Sequence, residues 1–247
     1  MCMDDRMSTR RVESLFEVGL LAAVPLAMGL ALVAGFGQTA LLMLFVVTVV
    51  LAMFFAGYEA SKPALRQIMP TLVLAALAAA GRILFAAVPD FKPVSAVAII
   101  AGATLGRRNG FMVGALAALT SNFFFGQGMW SPWQMYAWGL MGYLGGVLAD
   151  AQVFDDPKSG SPRRWALAVC GLASGALYGL IINAYGVLGF VRPLTWQGAL
   201  AYVAASLPFD AVHGAATAVF LVVLYGPWTR RIGRVVRKYG LRGEDEP

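Results

Sequence analysis

Several polar residues of this sequence stand inside long apolar stretches, and they are the first candidates for chemistry. Arg82 lies near the end of one such stretch, and Asp210 and His213 lie three residues apart in another. A charged group in apolar surroundings is costly, so it indicates a functional site or a buried partner. Arg82 could pair with Asp210, contact a ligand or extend its long side chain to an interface. Asp210 and His213 share a helix face and could relay a proton, hold a ligand or satisfy each other.

A second candidate is the uncharged segment Gly126–Gln134, which combines tryptophan with glutamine. Aromatic faces stack on planar organic ligands, and amides fix the orientation of such ligands. The pattern favours a binding site for a large planar or amphipathic molecule, although part of the aromatic content also fits an interfacial belt. The residues assigned to the site are Asn122, Gln127, Trp130, Trp133, Gln134 and Trp138, with Asn183 and Tyr185 from a later stretch and Asp90, Lys92 and Arg192 as a possible rim.

The elements that carry these residues are expected to be membrane helices. The 247 residues are 59% hydrophobic and only 13% charged, whereas a soluble domain carries about 25% charged residues. Apolar residues form blocks, such as 40–55 and 71–80, that no solvent-facing side interrupts. Measured against a hydrocarbon core of about 30 Å, the sequence predicts an all-α integral membrane protein of about eight transmembrane helices. The predicted spans are 15–35, 39–57, 68–88, 93–106, 110–125, 134–150, 165–189 and 198–226.

Basic residues predict the direction of these spans. If the N-terminus is cytoplasmic, sixteen of the nineteen lysines and arginines fall in cytoplasmic segments, while Lys92 and Arg192 fall outside and Arg82 falls within a span. This asymmetry is typical of the positive-inside bias, so both termini are expected on the inner side of the cytoplasmic membrane. The net charge of +6 then faces lipid headgroups, and nucleic acid is not an expected partner.

Small residues recur four apart, a spacing that lets helix backbones approach closely in a membrane. The glycines expected to pack the chain's own bundle are Gly106, Gly110, Gly114, Gly142, Gly146, Gly171, Gly175 and Gly179. A ridge of four alanines in the third span could pack internally or dock a partner helix. It consists of Ala75, Ala76, Ala79 and Ala80.

Catalytic and energising motifs are missing from the sequence. There is no GxxxxGK[ST] phosphate loop, no HExxH and no GxSxG. Cys2 and Cys170 are too few and too separated to suggest a disulfide framework, and one histidine cannot build a conventional zinc site. The chain is therefore not expected to be an enzyme or to hold a cofactor or metal.

Six segments form a recognisable pattern when they are taken together. They are Gly81–Pro93, Ala101–Gly106, Gly110–Ala115, Ser121–Met135, Leu207–His213 and Lys238–Gly240. The pattern resembles the S component, the substrate-binding membrane subunit, of energy-coupling factor transporters, in the cobalamin-type subgroup. Ser121–Met135 is its most specific part, with Met129 and Ser131 where the commoner loop form has Pro and Thr. The resemblance covers about residues 68–240.

The resemblance implies a six-helix binding core preceded by two extra helices. It divides the chain into two N-terminal helices with a linker (1–66), the core (67–229) and a basic cytoplasmic tail (230–247). It implies that the chain captures a vitamin-like micronutrient, with cobalamin as the leading candidate, at the outer face and hands it inward. The implied partners are a transmembrane coupling subunit and two ATPase subunits, and the implied docking surface is the ridge at Ala75, Ala76, Ala79 and Ala80.

Two other classes of function stay open from the residues alone. A stand-alone membrane carrier or channel for a small organic molecule would need no ATPase, but such carriers often show internal repeats, and this sequence has none. An intramembrane enzyme could use Asp210 and His213 as acid and base. No nucleophile or second carboxylate accompanies that pair.

Overall fold

The computed structural model describes residues 15–30, 39–60, 65–157 and 159–239, and these residues form eight α-helices. The helices are α1 (Leu15–Leu30), α2 (Thr39–Ala60), α3 (Leu65–Leu84), α4 (Val94–Leu105), α5 (Arg107–Phe125), α6 (Ser131–Asp150), α7 (Arg164–Phe190) and α8 (Trp196–Tyr239). Within the described ranges there is no strand, only an isolated bridge between Asp155 and Pro162. The all-α prediction is confirmed for these residues. The predicted features at 1–14, 31–35, 61–64, Lys158 and 240–247 lie outside the described residues.

Two of the described helices, α7 and α8, are long and apolar enough to cross a membrane, as judged by length and composition. α8 has 44 residues and contains Pro208 and Pro227, so at about 1.5 Å per residue it is about 66 Å long. The sequence prediction ended this helix at 226. The structure continues it to Tyr239, so residues 230–239 of the predicted tail are helical.

α4 lies at the centre of the bundle. All of its residues except Ala103 are buried, and it contacts α3, α5, α6 and α8. A helix that is apolar on every side is suited to this central position. Gly106 follows α4 with a φ of 92°, a backbone conformation that glycine adopts without strain. It turns the chain so that α5 starts at once, at Arg107.

Helix backbones are in direct contact where glycines face each other. Gly110 of α5 lies against the backbone of Gly102 in α4 and of Gly142 in α6, and Gly175 of α7 lies against Gly214 of α8. The predicted internal packing of the glycines is confirmed for these positions. It is also confirmed for Gly114, Gly146, Gly171 and Gly179.

α1 packs directly on the core through polar contacts. The Tyr136 hydroxyl of α6 donates to the Leu21 carbonyl at 2.5 Å. Glu17 forms an ion pair with Arg108, at the start of α5, and accepts a hydrogen bond of 3.2 Å from Tyr143 of α6. The first helix is therefore part of the packed bundle.

α2 is joined to the core by a similar set of contacts. Phe54 stacks on Phe111 of α5 with ring centroids 3.8 Å apart. Tyr58 donates to the Asn109 Oδ1 atom at 2.8 Å, and Thr71 of α3 donates to the same atom at 3.0 Å. Asn109 thus links α2 and α3 to α5.

Replacing Glu17 by glutamine is expected to lower the stability of the protein by about 1–3 kcal/mol. The substitution removes the carboxylate that pairs with Arg108, and the Arg108 and Glu17 side chains are only 31% and 12% exposed. Thermal unfolding of the purified protein in detergent measures the effect. Glu59→Gln in α2 is the matched control, because Glu59 is exposed. Equal shifts for the two variants would contradict a specific role for Glu17.

Candidate ligand-binding site

One end of the bundle gathers most of the residues that the sequence assigned to binding. It carries the connections at 85–93, 126–130 and 191–195, and it is called the site end here. α3, α5 and α7 finish at the site end, and α4, α6 and α8 begin there. Six helices can therefore contribute side chains to one region.

Arg82 is half-buried in the last turn of α3 and is held by α5. Its Nη1 donates to Ser121 Oγ at 2.7 Å and to Asn122 Oδ1 at 2.6 Å. The guanidinium also lies over the rings of Phe125 and Trp138, at 4.6 and 4.8 Å from their centroids. Such cation–π contacts stabilise a cation that has little water around it.

Asn122 is fully buried and connects Arg82 to the start of α6. Its Nδ2 donates to Ser131 Oγ at 3.1 Å and to Gln134 Oε1 at 2.8 Å. Ser131 donates in turn to Gln127 Oε1 at 2.7 Å, and Gln127 Nε2 donates to a backbone carbonyl of α5. Both ends of the Gln127 amide are therefore engaged within the protein, which makes Gln127 a residue that holds the loop in place.

A stack of rings continues from Arg82 across the bundle. Trp138 of α6 stacks on Tyr178 of α7, with centroids 5.1 Å apart, and Tyr178 stacks on His213 of α8 at 4.4 Å. His213 Nε2 is hydrogen-bonded to Ser95 Oγ of α4 at 2.8 Å. Helices α3, α4, α6, α7 and α8 thus meet in one layer of polar and aromatic side chains.

Sequence reasoning missed Tyr178 and Ser95. A single tyrosine or serine in a long apolar helix has no spacing or neighbour that marks it. Tyr178 lies five residues before Asn183, about 140° around the helix, so it does not share a face with that candidate and no spacing marked it.

Trp133 and Tyr185 form a second aromatic pair, with ring centroids 5.5 Å apart. Phe190 meets the edge of the Tyr185 ring at 5.7 Å. Trp130 does not join either aromatic group among the described residues. It is 43% exposed, and its ring lies against Gly128.

Asp210 belongs to a separate polar group on α7 and α8. Its Oδ2 accepts hydrogen bonds from Asn183 Nδ2 at 2.9 Å and from Ser206 Oγ at 3.1 Å. The carboxyl group fills the space beside Gly179, where a Cβ atom would collide with it. A glycine at 179 is therefore required for Asp210 to take this position.

Two pairings considered from the sequence are not present in the structure. Arg82 donates to Ser121 and Asn122 and forms no ion pair with Asp210. Asp210 does not bond to His213 either, because it turns toward α7 while His213 turns toward α4. A proton relay within this pair has no support in the geometry.

Of the three charged residues considered as a rim, the two cations bind backbone carbonyls and Asp90 does not. Lys92 donates to the carbonyls of Phe85, Ala86 and Val88, and Arg192 donates to those of Leu188 and Val191. Both cations thus bind carbonyls at the ends of α3 and α7, where cations are favourable. Burial raises the pKa of the Asp90 carboxyl, Lys92 opposes this shift, and the Asp210 carboxylate adds to it.

The alanine ridge of α3 is divided between two faces. Ala75 and Ala79 are buried in the core, at 4% and 3% exposure, so they are not available to a partner. Ala76 and Ala80 are exposed. They share that face with Leu72, Val73 and Leu77, which are also exposed. The prediction that the ridge docks a partner helix therefore applies only to the exposed face of α3 that carries Ala76 and Ala80.

Within the described ranges, no group of three or more His, Cys, Asp or Glu side chains could hold a metal ion. The polar groups of the site end are donors and acceptors of hydrogen bonds placed among aromatic rings. Such an arrangement is suited to binding an organic molecule.

The chain belongs to a family of unknown function, DUF6580, which matches residues 61–234. The match starts after α2 and extends into the second half of α8. A comparison with curated proteins finds no match, and a comparison with solved structures finds none either.

Proposed function

We propose that the chain is the S component of an energy-coupling factor importer in the cytoplasmic membrane. It binds a vitamin-like micronutrient at the outer face, and cobalamin is the leading candidate. A separate transmembrane coupling subunit and two ATPase subunits supply the energy for release on the inner side.

Exposed apolar side chains support the placement of the eight helices in a membrane. Leu84, Phe123 and Trp196 are 80%, 75% and 75% exposed, and soluble monomers rarely expose large apolar patches. α7 and α8 also have the length and composition of membrane spans. Two arginines support a cytoplasmic location for the end of the bundle opposite the site end. Helices α5 and α7 begin at that end, with Arg107 and Arg164.

The concentration of buried polar and aromatic side chains at the site end is the observation that carries the proposal. Arg82, Asn122, Gln134, Trp138 and Tyr178 come from four helices and form one connected group. Polar groups inside an apolar bundle are costly unless they are bonded, and networks of them are retained where they specify structure or function. Their location at one end favours a binding site open to one side of the membrane.

Cobalamin uptake by cells that produce the chain, with and without the coupling subunit and the ATPases, tests the proposed function. We expect the purified chain to bind cobalamin without ATP, and we expect uptake only when all partners are present. A variant of the ATPases that lacks the phosphate-loop lysine is the control. Uptake into liposomes that contain this chain alone, without ATP, would replace the proposal with a stand-alone carrier. If cobalamin does not bind, mass spectrometry of the compound that copurifies with the protein identifies the substrate.

A further inference from the structure

Arg82 and Asp210 carry opposite charges at the same end of the bundle, yet each keeps polar atoms without a protein partner. Arg82 uses Nη1 for both of its hydrogen bonds, and its Nε and Nη2 groups donate to nothing in the described ranges. Asp210 accepts both of its hydrogen bonds on Oδ2, and Oδ1 accepts none from the residues that the structure describes. Both residues are only half-buried, so these atoms can be reached by a small molecule.

One further donor on the Arg82 side, the Trp138 indole N–H, has no acceptor among the described residues, and the Trp133 indole N–H, beside Tyr185 of α7, has none either. The indole N–H groups of Trp133 and Trp138 are buried and unpartnered among the described side chains, and the two residues are only 1% and 3% exposed. Buried donors in folded proteins almost always have a partner, so two such donors on one helix need an explanation. The Trp138 ring lies directly under the Arg82 guanidinium. This side of the site, formed by α3 and α6, therefore has a surplus of donors.

The α8 side of the site has a surplus of acceptors. No cation of the described part of the chain forms an ion pair with Asp210. Asp90 lies close enough for the two carboxylates to influence each other, although Lys92 and Arg82 also act on Asp90. Lys92, the nearest cation on the 85–93 connection, is held by backbone carbonyls. His213, on the next turn of α8, is bound to Ser95 and does not reach Asp210. An ammonium or amide N–H group of a ligand could donate a hydrogen bond to Oδ1 of Asp210.

We infer that the substrate has two chemically different ends, an anionic oxyacid group bound by Arg82 and a hydrogen-bond-donating group bound by Asp210. The inference rests on the proposed function, because it assigns a ligand class to the same site. Charged hydrogen bonds are stronger than neutral ones and fix direction, so the two side chains would also orient the substrate. Cobalamin satisfies this description, since it carries one phosphodiester and several side-chain amides.

Binding titrations with two related probes test the inference. Cyanocobalamin carries the phosphodiester, whereas cobinamide lacks it and keeps the side-chain amides. We expect Arg82→Gln to weaken the binding of cyanocobalamin about tenfold or more and to change that of cobinamide by less than about threefold. Asp210→Asn is expected to weaken both probes by similar factors. Arg231→Gln is the matched control, because Arg231 is exposed and lies in the last third of α8, far from the site end, and it should change neither affinity.

Other results of these titrations would overturn one end of the proposed substrate. If Arg82→Gln weakens both probes equally, or neither, the anionic end is overturned while the proposed function stands. If Asp210→Asn weakens neither probe, the donor end is overturned. Should Arg82→Gln fail to fold, equal affinity of the wild-type protein for the two probes would overturn the anionic end.

The wild-type protein also separates the two proposals. If it binds neither probe but copurifies with a compound that lacks an acid group, the inference is overturned and the proposed function stands. If no compound copurifies and neither probe binds, both proposals are overturned.

Discussion

Replacing Gly142 by alanine is expected to destabilise the protein by about 3 kcal/mol, although alanine favours helix formation over glycine by about 1 kcal/mol. Gly142 of α6 lies directly against the backbone carbonyl and Cα of Gly110 in α5. Backbone atoms cannot move aside as a flexible side chain does, so the added methyl group must push α5 and α6 apart. Separation of these helices would also disturb Gly102 of α4, which lies against the Gly142 carbonyl.

Thermal unfolding of the purified protein in detergent measures this effect, and we expect the midpoint to fall by about 10 °C. Gly57→Ala in α2 is the matched control, because no atom lies within 4 Å of a Cβ built there. That variant should be unchanged or slightly more stable, since only helix propensity acts on it. Similar midpoints for the two variants would contradict the close contact of α5 and α6.

If the chain is the S component proposed above, replacing Ala76 and Ala80 together by tryptophan is expected to abolish uptake while leaving cobalamin binding within about twofold of the wild-type value. Both alanines are exposed on one face of α3, so the bundle can accommodate larger side chains there. A partner helix that packs closely on small residues cannot approach once bulky rings stand between the two backbones. The measurements are uptake by cells that contain all partners and binding by the purified chain.

Two control variants decide how the result is interpreted. Ala215→Trp places the same ring on an exposed position of α8 and should leave both uptake and binding intact. Ala79→Trp inserts it at a position that is 3% exposed, so it should disrupt packing and reduce both quantities. If the double variant at Ala76 and Ala80 loses binding as strongly as uptake, the docking assignment is wrong.

Much of the helical framework could be predicted from apolar run lengths, which are a local property of the chain. The seventh span was predicted at 165–189, and α7 is observed at Arg164–Phe190. The end of α8 could not be predicted in this way, because the basic residues from 230 onward indicated a cytoplasmic tail. Helix α8 continues because its last turns pack on the core, where Val236 is 6% exposed. That stabilisation comes from distant helices and leaves no signal in the local sequence.

The residue types of the candidate site were also evident from the sequence. Arg82 was selected as a charged residue in an apolar run, and Asn122, Gln134 and Trp138 were selected with the aromatic and amide-rich segment after the fifth span. The structure brings these four residues together. Their partners could not be predicted, because the choice between Ser121 and Asp210 for Arg82 depends on how α3, α5 and α8 are rotated about their axes.

In the alanine ridge of α3, the sequence predicts which alanines share a line along the helix, and the tertiary structure decides which line is buried. Spacing alone places Ala75 with Ala79, and Ala76 with Ala80, on two neighbouring lines of one helix, because successive residues are about 100° apart. Which line faces the core depends on how α3 meets α4 and α5, and this contact involves residues far away in the chain. The composition and spacing of the sequence therefore determined that the helices form and that they pack through small residues. Only the tertiary contacts decided that Ala75 and Ala79 are buried, that Ala76 and Ala80 are free, and that Arg82 and Asp210 stay apart.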